Sequence, residues 1–183
     1  MKVVGAVILI GWAAFWLYWL LASFGVKRGA GGGWRRGAAV RLLVLLLAAV
    51  LLRTRALRGL GVDRDPWLAG VGLVVFLLGL ALAVWARVHI GRNWGMPMTH
   101  KAEPELVTTG PYRTIRHPIY SGVLLALIGT AIAISLYWLV PAALLGGYFV
   151  YSAVMEERYL TERFPDAYPE YKRSTRMLIP FIL

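Results

Sequence analysis

Apolar residues fall into long runs broken by short polar stretches. The first run covers Val3 to Phe24 without a charge, and a second, shorter one covers Ala38 to Leu52 with Arg41 near its start. A long cationic side chain at that place can snorkel to an interface. The third run extends from Trp67 to Val88 behind Pro66, the fourth from Ile119 to Val140, and the fifth from Ala142 to Met155. Pro141, between the last two, reads as a helix break. At 1.5 Å per residue, about 20 apolar residues cross a hydrocarbon core of ~30 Å. The pattern predicts an all-α integral membrane protein of about five transmembrane helices. Spans four and five have almost no linker and form a tight hairpin, and a cytoplasmic C-terminal helical segment follows. The first run is too long and too aromatic for a signal peptide, and no small-residue cleavage site follows it, so it is expected to be a retained span.

Composition agrees. Of 183 residues, 59% are apolar, and the mean hydropathy is +0.64, too high for a soluble domain. The net charge of +11 would suit nucleic acid, but the basic residues flank apolar runs rather than forming one solvated face, so no nucleic-acid partner is expected. They serve better as topology signals and contacts to anionic membrane lipids. With five spans, Lys2, Arg53, Arg55, Arg58 and Arg64 lie on one side and the other fifteen of the 20 Lys and Arg on the opposite side. The positive-inside rule then puts the N-terminus outside and the third loop and C-terminus in the cytoplasm, as in a bacterial inner membrane. The chain reads as a single membrane domain over 1–183, with two N-terminal spans and their loops in 1–66. There is no cysteine, so disulfides and thiolate chemistry are excluded. His89, His100 and His117 lack the spacing of metal ligands, and no metal is expected.

Two polar clusters stand out against this background. Arg116-His117-Pro118 opens the fourth run. Pro118 suits the first helical turn, where its missing N–H costs nothing. His117 then lies at a helix N-terminus, which attracts anions such as a carboxylate. The bland alternative is that Arg116 meets lipid phosphate and His117 caps the helix. Glu156-Glu157 ends the fifth run. Two carboxylates there oppose the helix dipole and need a cationic partner. Either they pair with Arg158, Arg163 or Arg116, or one of them binds an ammonium or sulfonium group.

Several aromatics invite weaker readings. Tyr168 and Tyr171 are three apart, on one helix face, and suit either an interfacial anchor or a lid over a site. Trp12, Trp16 and Trp19 form a stripe on the first span that reads as packing or lipid contact. His89 reads as an interfacial polar residue, and Asn93-Trp94 yields no chemistry from sequence.

The run Gly110-Pro111-Tyr112, then Arg116-His117-Pro118-Ile119-Tyr120-Ser121-Gly122, resembles the isoprenylcysteine carboxyl methyltransferase family. So do the apolar hairpin, Glu156-Glu157, Phe164, Tyr168, Tyr171 and the terminal Ile179-Pro180. Gly91-Arg92-Asn93-Trp94 and Glu105 to Thr109 look like its bacterial members, and the wider group includes phospholipid N-methyltransferases. The resemblance covers roughly residues 85 to 183 and makes 67–183 a methyltransferase core. It implies an S-adenosylmethionine-dependent enzyme, with S-adenosylhomocysteine as product. The cofactor-binding residues it implies are Leu106, Val107, Tyr112, His117, Pro118, Ile119, Tyr120 and Glu156, and the catalytic candidates are Arg116 and Glu157. Prenylcysteine-specific members carry an Arg one turn before the acidic pair, where this chain has Ser152. Ser152 and Arg176 are therefore the substrate-binding candidates.

The implied reaction is carboxyl O-methylation of a prenylcysteine-like compound or N-methylation of a lipid amine. In-line methyl transfer mainly needs alignment and exclusion of water. A carboxylate acceptor needs no base, whereas an amine must lose a proton, to Glu157 or His117. The competing readings are a membrane reductase of related architecture using NADPH and a non-enzymatic membrane protein.

Overall fold

A computed structural model describes residues 2–23, 65–94 and 105–178. The predicted second span at 38–52, most of the loop cations used for the charge count, His100, Glu103-Pro104 and Ile179-Pro180-Phe181 lie outside the described residues.

Every described element is helical. Helix α1 covers Lys2–Ser23, α2 Pro66–Ile90, α3 Pro118–Ala133, α4 Leu139–Arg163 and α5 Ala167–Ser174. Short 3₁₀ turns occupy Gly91–Asn93, Gly110–Arg113 and Leu136–Trp138. Stretches within three helices, Val3–Ala22, Pro66–Ile90 and, with the 3₁₀ turn before α4, Leu136–Arg163, are long and apolar enough to cross a membrane. Helix α3, with 16 residues, is shorter. At 1.5 Å per residue it reaches roughly 24 Å, short of a full hydrocarbon core.

Local chemistry sets the helix ends. Asp65 accepts the Trp67 N–H at 2.8 Å, and Pro66 occupies the first turn of α2, so the helix starts where its orphan donor is satisfied. Gly91 ends it at φ 54, a conformation that favours glycine. Helix α3 starts at Pro118, as expected. The predicted break at Pro141 is corrected: the chain turns at Ser135, which is extended at φ −165. Pro141 lies in the first turn of α4, where a missing N–H leaves no helical bond unmade. Helix α4 accordingly runs eight residues past the predicted end at Met155, and Glu156-Glu157 sit within it rather than at its close.

Helices α2 and α3 pack backbone to backbone. A Cβ on Gly79 would lie 2.4 Å from the Ala126 nitrogen, and one on Gly129 2.3 Å from the Phe76 nitrogen. Small residues permit this approach, which is a common basis of helix association in lipid. Helix α1 lies across the pair, where Trp12 Nε1 donates to Thr130 Oγ1 at 3.2 Å. Trp12 and Trp19 pack against the core, while Trp16 is exposed, so the predicted tryptophan stripe divides between protein and surroundings. The main core joins Phe15, Ala83, Tyr120, Leu127, Phe149 and Leu178. It brings the start of α3, the middle of α4 and the last described residue together.

Candidate functional site

The site forms where α3 begins. His117 precedes Pro118 as the N-terminal cap residue of α3 and is buried. Its ring stacks on Tyr120 at 5.3 Å with planes 4° apart, and Tyr120 stacks on Phe149 of α4 at 4.3 Å and 7°. The helical spacing from 117 to 120 puts the first two rings on one face. Only packing supplies the third, and sequence reasoning had not singled out Phe149.

The two adjacent glutamates have different surroundings. Successive helical residues point about 100° apart. Glu157 is 2% exposed. Its carboxylate receives Arg116 Nε at 2.6 Å and Lys172 Nζ at 2.9 Å, and His117 Nε2 lies 3.5 Å away. The pairing expected from sequence with Arg116 is present. Arg158 and Arg163 are exposed, and Lys172 of α5, which sequence reasoning missed, takes their place. Glu157 is thus committed to cations of the chain itself. Glu156 is half-buried, its Oε2 3.9 Å from His117 Nδ1 and near the Tyr120 phenol.

Arg116 extends the network. Its Nη1 donates to the Thr175 carbonyl at 2.7 Å and to the Lys172 carbonyl at 3.3 Å. The segment after α5 lies parallel to the chain entering α3, with a bridge between Ile115 and Arg176. Arg176 N–H donates to Thr114 O at 3.1 Å, Arg116 N–H to Arg176 O at 2.8 Å, and His117 N–H to Met177 O at 3.1 Å. The Ser121 hydroxyl donates to the Leu178 carbonyl.

Tyr112 sits in the turn Gly110–Arg113 below this junction. Its carbonyl accepts the Tyr171 phenol at 2.6 Å, and its own phenol donates to Ala86 O at 3.4 Å. Tyr168 and Tyr171 therefore face inward and are buried, which does not suit an interfacial lipid anchor. Burial pushes the phenols of Tyr112, Tyr168 and Tyr171 well above their ordinary range. Gly110 has φ 59, and a Cβ on it would meet the His89 ring at 2.6 Å. His89 shields this turn, its Nε2 2.9 Å from Thr109 Oγ1.

Of the remaining candidates, Leu106, Val107 and Ile119 are half-buried and Pro118 is buried. Ser152 is 0% exposed on α4, and its Oγ has no hydrogen-bond partner among the described residues. Arg176 contributes its backbone to the junction while the residue is exposed. Asn93-Trp94 gains a role. Arg87 lies 4.7 Å over the Trp94 ring, and the Asn93 amide donates to Glu105.

The donor set suits a flat, zwitterionic ligand. Glu156 offers a carboxylate to a cationic group, and the first turn of α3 offers free N–H groups to an anionic one. Aromatic side chains nearby offer walls to a ring. Among the described residues no group of three or more His, Cys, Asp or Glu could hold a metal ion.

A family model described as phospholipid methyltransferase matches residues 67–167. Protein-S-isoprenylcysteine O-methyltransferase B of Arabidopsis thaliana is 29% identical over 126 residues, which cover 67% of this chain and 64% of the relative. The nickel-cobalt-cadmium resistance protein NccN of Alcaligenes xylosoxydans xylosoxydans is 30% identical over 119 residues, covering 63% of this chain and 53% of the relative. The solved structure of the eukaryotic intramembrane Ras methyltransferase ICMT is similar at a TM-score of 0.58 and 25% identity, covering 84% of this chain and 55% of that one. The chain spans less than two thirds of the length of each of these three proteins.

Proposed function

The chain belongs to the phospholipid methyltransferase family, with isoprenylcysteine methyltransferases among its relatives, and from that premise we propose that it methylates a lipophilic acceptor from S-adenosylmethionine. The observation that carries this reading is the division of labour between the glutamates. Glu157 is neutralised by the chain's own cations, while Glu156 stands beside His117 and the Tyr120 phenol with a carboxylate to offer.

In this reading Glu156 holds the ammonium end of the cofactor, and the N-terminal turn of α3, with Pro118 and Ile119, receives its carboxylate. Tyr112, His117 and Tyr120 flank its ring with Leu106 and Val107. Bound S-adenosylmethionine supplies the electrophilic methyl group. Arg116 and Glu157, expected from sequence as catalytic, order the turn that carries His117. Ser152, a neutral side chain one turn before Glu156, borders the acceptor, and Arg176 lies at the mouth of the site. A carboxylate acceptor, such as a prenylcysteine-like compound, needs no base. A lipid amine must give up a proton, and in this reading His117 or Glu157 receives it. The acceptor enters from the bilayer. The cofactor enters from the cytoplasm, the side that the excess of Lys and Arg assigns to the C-terminus of an inner-membrane protein.

The test is calorimetric titration of S-adenosylhomocysteine into detergent-purified protein and its Glu156→Gln variant. Label transfer from S-adenosylmethionine to farnesylcysteine or phosphatidylethanolamine follows. Binding lost in the variant supports the reading. No binding by the intact wild type overturns it, and binding of NADPH instead would favour a reductase.

A further inference from the structure

We infer that Glu157 is a positioning residue: it locks the segment Thr175–Leu178 onto the turn bearing His117, so that order in this strap and cofactor binding are coupled. The cofactor half of this inference rests on the reading given above.

The strap and the turn Thr114–His117 form one hydrogen-bonded unit. The backbone N–H groups of Arg116 and His117 both donate to strap carbonyls, and Arg176 donates back to Thr114. The Ser121 hydroxyl on the first turn of α3 reaches the Leu178 carbonyl. The His117 ring, which faces both glutamates, is therefore carried on a backbone that the strap holds.

Glu157 fastens this unit from the side of α4. Its carboxylate meets Arg116 and Lys172, one on the turn and one on α5 just before the strap. Arg116 then spans from Glu157 to the Thr175 and Lys172 carbonyls. A single buried charge thus joins α4, the turn and the strap. If that charge is removed, the largely buried Arg116 side chain is left without its counter-ion, a costly state that favours opening. Glu156, one residue earlier, touches neither Arg116 nor Lys172 in this network, so the adjacent carboxylates have separable roles.

Limited trypsin digestion reads the lock, since Arg173 and Arg176 are exposed beside and within the strap. Full-length wild type, Glu157→Gln, Lys172→Met and Glu156→Gln are digested in detergent with and without S-adenosylhomocysteine, and each is titrated with it. Glu157→Gln should be cut about tenfold faster at these bonds and bind the ligand about tenfold more weakly. Lys172→Met removes only the half-exposed partner; it should shift both readouts in the same direction by less, and it serves if Glu157→Gln does not fold. Glu156→Gln should lose ligand affinity while being cut at the wild-type rate. The ligand should protect the wild-type strap. Wild-type cleavage rates in Glu157→Gln and Lys172→Met would overturn the lock. Faster cleavage with unchanged ligand affinity would overturn the coupling. If wild type binds no S-adenosylhomocysteine, the methyltransferase reading fails and the digestion alone decides the lock.

Discussion

Tyr171 donates its phenol proton to the backbone carbonyl of Tyr112 at 2.6 Å, across 59 residues of chain. This bond seats α5 on the turn that leads to the site. Both residues are buried, so the carbonyl would find no water in its place. Tyr171→Phe removes the donor and keeps the ring. It should cost about 1 kcal/mol and lower Tm by roughly 2–4 °C. An unchanged Tm in detergent would show that the bond contributes nothing.

The α2–α3 interface leaves no room at its glycines. Gly79→Leu would drive a side chain into the backbone of Ala126, whereas a Cβ on Gly70 of the same helix meets nothing within 4 Å. Gly79→Leu should prevent recovery of folded protein, since overpacking by even a few atoms costs about 1–3 kcal/mol, and Gly70→Leu should be tolerated. Equal yields and equal melting curves for the two would refute the backbone contact.

Arg87 joins α1 to α2. It is 5% exposed, and its two terminal nitrogens donate to Ala22 O at 2.7 Å and Gly91 O at 2.8 Å. Both carbonyls lie at helix C-termini, where the dipole favours a cation. Arg87→Met should destabilise by about 2–3 kcal/mol. It should also alter tryptophan fluorescence, because the guanidinium covers Trp94, which in turn abuts Trp19 at 5.8 Å. A variant with wild-type emission and stability would remove Arg87 from this role.

Ser152 is a buried hydroxyl without a described partner. Ser152→Ala discards a polar group that gains nothing from the fold, and should leave stability unchanged or raise it by up to about 1 kcal/mol. Clear destabilisation in a thermal melt would mean that the hydroxyl is bonded after all.

The phenols of Tyr112, Tyr168 and Tyr171 are held neutral, chiefly by burial. In the unfolded chain they ionise near pH 10 (about the ordinary value). Their raised values leave stability intact below about pH 10, and it declines as pH climbs further, because only the unfolded state then gains phenolate. Phenolate absorbance followed beside unfolding should show these tyrosines ionising together with loss of fold. Full ionisation in an intact fold would contradict their burial.

The sequence determined the elements whose causes are local. Long apolar runs and their flanking prolines set α1, α2 and the start of α3, since span length and a missing N–H act within a few residues. The ordered motif from Gly110 to Gly122 and the acidic pair pointed to a candidate site through their resemblance to a family. Pro141 misled because proline is compatible with both a helix break and a helix's first turn, and the extended backbone at Ser135 decided between them. Only the tertiary structure gives Glu156 and Glu157 different surroundings. They are neighbours in sequence and both lie near His117, but 100° of helical rotation buries only Glu157 between Arg116 and Lys172, 41 residues before it and 15 after. The strap was equally invisible, because its bonds run between backbone groups distant in the chain, and no side-chain pattern records which carbonyl a distant N–H will meet.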